Sequence, residues 1–127
     1  MNYQHLPIWQ QANRLLLELE LSVKQFSRYH KYTIGTELRQ LALRLCKAIH
    51  RAFTRKHSKI KCIQQVVELI DDLKFQLRLG KELKVFKNFA QYEQLAELVV
   101  SLGKQAGGWF KQAKAEVNQR KQSVKPN

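Results

Sequence analysis

The chain has 127 residues, the length of a single domain. With 44% hydrophobic and 26% charged residues it is a globular chain, not a disordered one. Lys+Arg 23 against Asp+Glu 10 leaves a formal net charge of +13, which opposes compaction unless counter-charge is supplied; nucleic acid or an anionic membrane would supply it.

Met1 to Gln10 shows no cationic stretch followed by an apolar one, and the run Leu15-Leu16-Leu17 is stopped at once by Glu18, so neither a leader nor a membrane span is expected. Cys46 and Cys62 are too few for a disulfide framework, and a reducing, cytoplasmic setting is the expectation.

Pro7 and Pro126 are the only prolines, so everything between them is free to be helical. The apolar spacing predicts four helices. The first runs from about Pro7 to Phe26, with Pro7 in the first turn, where its missing N–H is not needed. Ile8, Ala12, Leu15, Leu16, Leu19, Val23 and Phe26 form its stripe. Residues 27–33 are a polar and aromatic linker without periodicity. The second helix is expected from near Ile34 to near His57, with Thr33 as N-cap and Glu37 favouring the helix dipole. The third, from about Ser58 to Leu79, turns Ile60, Ile63, Val67, Ile70, Leu73 and Leu77 inward, and Gly80 is placed to stop it. Beyond residues 81–87, Asn88 with Gln91 reads as a capping box for the fourth helix. Tyr92, Leu95, Val99, Leu102, Ala106, Trp109, Ala113 and Val117 are its inward positions. No strand alternation of useful length occurs. The expected fold is all-α, an antiparallel up-down four-helix bundle over residues 1–119, with 120–127 a polar, frayed tail.

The second helix carries the clearest functional signal. Between Glu37 and Glu68 there is no acidic residue, while Arg44, Lys47, Arg51 and Arg55 recur at helical spacing on one stripe. Leu38, Leu41, Leu45, Ile49, Ala52 and Phe53 fall on roughly the opposite side. Like charges one turn apart repel by roughly a few tenths of a kcal/mol per pair, so the row needs a polyanionic partner. Lys104, Lys111 and Lys114 make a second cationic row on the fourth helix. In the linker, Tyr29, His30 and Tyr32 are able to stack on unpaired bases or to cap the end of the bundle.

Catalytic and metal chemistry find little support. Cys46 and His50 stand at i, i+4, but two ligands do not make a metal site, and no CxxC or Glu-x-x-His pattern accompanies them. Asp71 and Asp72 are helix neighbours that point apart, and no P-loop, dinucleotide fingerprint or nucleophile elbow is present. No enzyme, metal or cofactor is expected. Gly103 and Gly107, one turn apart, suit close helix–helix approach within the bundle or between subunits. Trp109 and Phe110 are adjacent aromatics that cannot both face one core, so one is expected at a subunit or partner contact.

The segment Tyr32-Thr33-Ile34-Gly35-Thr36-Glu37-Leu38-Arg39, with the basic helix it opens, resembles a bacterial four-helix-bundle family. That family includes proteins encoded in intervening sequences of large-subunit ribosomal RNA genes and the accessory variability determinant (Avd) proteins of diversity-generating retroelements. The run Ser101-Leu102-Gly103-Lys104-Gln105-Ala106-Gly107-Gly108-Trp109, together with residues 73–79 and 86–92, is similar to the Avd branch. The resemblance spans about Trp9 to Lys111. It implies a non-catalytic accessory factor that assembles as a ring-like homopentamer, binds the retroelement reverse transcriptase, and holds structured RNA or an RNA/DNA hybrid during mutagenic reverse transcription. Carried onto this chain, it makes Arg44, Lys47, Arg51 and Arg55 the first candidates for nucleic-acid contact, with Lys104, Lys111 and Lys114 second. Gly103, Gly107, Trp109 and Phe110 are the candidates for oligomer or partner contact. The alternative is an rRNA- or ribosome-associated bundle protein without a polymerase partner. A basic membrane-surface protein ranks lower, since its apolar strip is expected to be consumed by the bundle.

Overall fold

The computed structural model describes residues 2–124. Its helices are α1 (Pro7–Lys24), α2 (Arg28–Lys31), α3 (Ile34–Thr54), α4 (Lys59–Glu82) and α5 (Phe89–Val124). The four long helices pack as a square, α1 on α3, α3 on α4, α4 on α5 and α5 on α1, so α3 and α5 stand at opposite corners. Short connections make successive long helices antiparallel. The expected four-helix bundle is the fold observed.

Its centre is built mainly from Leu and Ile. Leu15 and Leu19, Leu38, Leu45 and Ile49, Ile63, Ile70, Leu73 and Leu77, and Leu95 and Leu102 are fully buried. Each such side chain contributes about 1.5–3 kcal/mol by leaving water, which is what selects the inward face of every helix. Polar links set the register at the seams. Arg39 Nε lies 2.7 Å from Glu20 Oε1 between α3 and α1. Gln11 Oε1 accepts from Ser101 Oγ and Gln105 Nε2 at 2.8 Å, tying α1 to α5.

The boundaries differ from expectation where side chains found other partners. The first helix ends at Lys24, and the expected linker contains the one-turn α2, whose cap Ser27 accepts from the His30 backbone N–H at 3.5 Å. Thr33 does not cap α3 with its side chain; its hydroxyl donates back to the Tyr29 carbonyl at 3.0 Å. Helix α3 stops at Thr54 instead of running to His57, because Arg55 turns extended at φ −81°, ψ 134°. Gly80 does not stop α4. It lies buried inside the helix, where an added Cβ would come within 3.0 Å of the Phe86 ring, so the glycine admits the returning chain. The reversal comes at Lys84, whose φ is 58°. Asn88 caps α5 as expected, accepting from the Gln91 N–H at 2.9 Å, while the Gln91 side chain accepts from Lys87 N–H and not from Asn88 itself. The last helix continues through Val124, and residues 125–127, with Pro126, lie outside the described residues.

The N-terminal segment closes one end of the bundle, which the sequence did not suggest. Tyr3 is buried, stacks on Phe53 with centroids 5.1 Å apart and planes 6° from parallel, and its hydroxyl is hydrogen-bonded to His50 Nδ1. Trp9 meets Tyr3 edge-on at 5.0 Å.

Candidate nucleic-acid interface

Helix α3 buries Leu38, Ala42, Leu45, Ile49 and Ala52 and thereby turns its opposite side outward. Arg44 and Lys47 are exposed and Arg51 is half-buried, all on that outward face. Arg39, one of the cations of the acid-free stretch, is engaged with Glu20 and does not belong to the row. Arg55 lies one residue beyond the helix, exposed, at the start of the turn into α4.

The two ends of the row have different surroundings. Arg44 borders a groove of about 350 Å³ between α3 and α4 that also holds Glu37, Asp72 and the exposed Phe75. No carboxylate comes within ion-pair distance of Arg44 among the described residues. Arg55, at the far end, borders two cavities. One, of about 710 Å³, adds Lys56, Lys59 and Arg120; the other, of about 670 Å³, adds Lys61. The Arg55 end thus gathers more cations, with Glu116 and Glu68 the carboxylates among its lining residues.

The fourth-helix lysines do not join this surface. Lys104, Lys111 and Lys114 are exposed on α5, at the opposite corner of the square, so the two cationic fronts face away from each other. Lys104 borders a groove with Glu93 and Glu97, and Lys114 Nζ sits 5.1 Å over the Phe110 ring. Gly103 faces α4: an added Cβ would meet Lys74 Nζ at 2.9 Å and Ile70 Cγ2 at 3.6 Å. A Cβ added at Gly107 or Gly108 would meet no other element within 4 Å. Trp109 and Phe110 are both half-buried, Trp109 lying on Phe53 with centroids 4.5 Å apart. Tyr29 and Tyr32 are 76% and 70% exposed, at the end of the bundle away from Arg55.

Sequence reasoning missed Arg120, placed in the expected tail, and the convergence of Lys56 and Lys59 on it. Only the fold brings residues so far apart together. It also missed that Leu17 and Leu21, one turn apart on α1, remain 65% and 62% exposed, so some apolar surface is not consumed by the bundle.

Neither thiol is set up for chemistry. Both cysteines are free and buried, and burial pushes the Cys46 thiol from 9.0 up to about 11, keeping it protonated at neutral pH. Among the described residues no group of three or more His, Cys, Asp or Glu side chains is disposed to hold a metal ion. No helix there is long and apolar enough to cross a membrane.

The run Ser101 to Trp109, with residues 73–79 and 86–92, is the part of the sequence that resembles the Avd proteins, and it lies on α4, the α4–α5 turn and α5. The family model described as bAvd-like matches residues 6–113. The chain belongs to the bAvd-like family. It is thus an Avd-like accessory protein of the diversity-generating-retroelement type, with a non-catalytic role. The match begins just before α1 and ends at Ala113, so it takes in all of α3 and its cationic row. No curated protein matches the chain.

Proposed function

We propose that this protein binds the template RNA, or its RNA/cDNA hybrid, of a diversity-generating retroelement along the outward face of α3, and docks on the reverse transcriptase to support mutagenic reverse transcription. The observation that carries the reading is the row Arg44, Lys47 and Arg51, continued by Arg55, which lacks ion-pair partners among the described residues. Unneutralised guanidinium and ammonium groups in a row match a line of phosphates, and contacts of this kind position RNA without reading its sequence. Lys104, Lys111 and Lys114 are a second, separate contact surface on α5. The exposed Leu17 and Leu21 and the open flank of α5 at Gly107 and Phe110 supply surface for protein contacts, either between copies in a ring-like homopentamer or with the polymerase.

The test is RNA affinity against salt for the parent and for the variant combining Arg44→Glu, Lys47→Glu, Arg51→Glu and Arg55→Glu. Binding should vanish in the variant while helicity is kept, and the parent's affinity should fall steeply with salt. A variant that binds as tightly as the parent at moderate salt refutes the assignment. The same protein without a polymerase partner, acting on ribosomal RNA, would retain RNA binding but fail to capture the retroelement reverse transcriptase.

A further inference from the structure

The cavity at the Arg55 end of the bundle is the one feature that the cationic row leaves unexplained. It has a volume of about 710 Å³ and lies between the end of α3, the α3–α4 turn and the last turns of α5. Phe53 and Trp109, together with Ala113 and Val117, give it an apolar wall. Arg55, Lys56, Lys59 and Arg120 surround that wall, with Glu116 the one carboxylate among the lining residues. None of the four cations is within ion-pair distance of a carboxylate among the described residues.

We propose that this cavity holds one unpaired nucleotide of a single-stranded nucleic acid, its base against the Trp109 indole, since Tyr3 and Trp109 already cover both faces of Phe53, and its flanking phosphates on Arg55, Lys56, Lys59 and Arg120. This rests on the reading that the protein binds RNA, and it adds where and in what form a strand is held.

Each half of the cavity matches a different half of a nucleotide. Four cations lining one cavity repel one another, and an anion held between them offsets that repulsion. A phosphate alone would need no apolar wall, whereas a base offers a flat π-face that stacks on aromatic rings whatever its identity. Lys59 already places its ammonium 5.8 Å from the centre of the Phe53 ring, so charge and aromatic surface are adjacent. The volume falls within the range of about 300–1,000 Å³ typical of small-molecule pockets. A paired base has both faces stacked within its duplex, so only an unpaired one can enter. Arg55 belongs both to the α3 row and to the cavity, so a strand following the row reaches the cavity without leaving positive surface. That continuity favours a polynucleotide over an acidic peptide, which would use the cations but not the Trp109 ring.

The experiment uses the full chain with two probes, a single-stranded oligouridylate carrying one central 4-thiouridine and a blunt RNA duplex. Irradiation should crosslink the single strand to peptides covering residues 53–60 or 109–120. The combined variant Lys56→Glu and Arg120→Glu changes exposed side chains only, and circular dichroism checks that it folds. It should bind the single strand about tenfold more weakly and the duplex within about twofold of the parent. Crosslinks confined to other helices, with single-strand affinity unchanged in the variant, overturn the cavity assignment and leave the α3 row standing. Failure of the parent to bind either probe defeats the RNA-binding reading itself. Protection from crosslinking by UMP as effective as by the oligonucleotide would make a free nucleotide the occupant and overturn the single-strand assignment. Displacement by an equimolar oligoglutamate peptide would assign a protein occupant, with the same consequence.

Discussion

The Trp109 indole lies on the Phe53 ring, with centroids 4.5 Å apart and planes 20° from parallel. Because α3 and α5 stand at opposite corners of the bundle, this stack fastens its diagonal at one end, and Tyr3 covers the other face of Phe53. Trp109→Ala should therefore destabilise the protein by about 2–3 kcal/mol, somewhat less than for a fully buried tryptophan, and lower Tm by roughly 10 °C. Trp109→Phe should retain most of that stability. Thermal unfolding followed by circular dichroism checks both.

Arg39 and Arg44 are neighbours in sequence terms but different in use. Arg39 is held by Glu20 across the α1–α3 seam, both side chains more than a third exposed, so the pair contributes under about 1 kcal/mol. Arg39→Gln is expected to change Tm by no more than a degree or two and to leave RNA affinity nearly intact. Arg44→Gln should leave Tm alone and weaken RNA binding, with a shallower dependence on salt. Filter binding at several salt concentrations separates the two.

The glycines predict opposite outcomes. At Gly80 an added methyl meets Phe86 and Val85 within 3.0–3.2 Å, and Gly80→Ala should destabilise the α4–α5 turn. At Gly107 nothing lies within 4 Å, so Gly107→Ala should stabilise the single chain by about 0.5–1 kcal/mol, the ordinary helix-propensity gain. The proposed contact between copies places a neighbour on this open face, which an added methyl would crowd. Light scattering should accordingly show a smaller mass for Gly107→Ala than for the parent; an unchanged mass would remove Gly107 from the subunit contact.

Cys46 gives the fold a pH dependence. Its thiol is raised from 9.0 to about 11 by burial, so the folded state holds the proton more tightly than the unfolded one. The associated stability is complete below pH 9.0 and is lost as pH rises towards about 11. Urea midpoints should fall more steeply across that window for the parent than for Cys46→Ala. At pH 8 the thiolate fraction of Cys46 should be about a hundredfold below that of an ordinary cysteine, and alkylation correspondingly slow.

The helices and their inward faces were legible because burial repeats with the helical period. Leu38, Leu45 and Ile49 could face only one way once the fourth position of each turn was apolar, and that choice left Arg44, Lys47 and Arg51 outside. Ends were harder to read. Thr33 and Gly80 have the residue types of a cap and a stop, yet each found a competing partner, the Tyr29 carbonyl in one case and the returning Phe86 ring in the other.

By itself, then, the sequence determined the bundle, the basic row on α3 and the lack of acidic residues between Glu37 and Glu68, since these depend on local order and charge alone. What only the tertiary structure decided was which cations act together. Helical periodicity assigns a face but not a distance between faces, so it could pair Lys104 with Arg44 as readily as with anything else. The square arrangement set those two fronts apart and drew Arg55, Lys56, Lys59 and Arg120 around the Phe53–Trp109 wall, because α5 runs past the end of α3 and the α3–α4 turn folds against it.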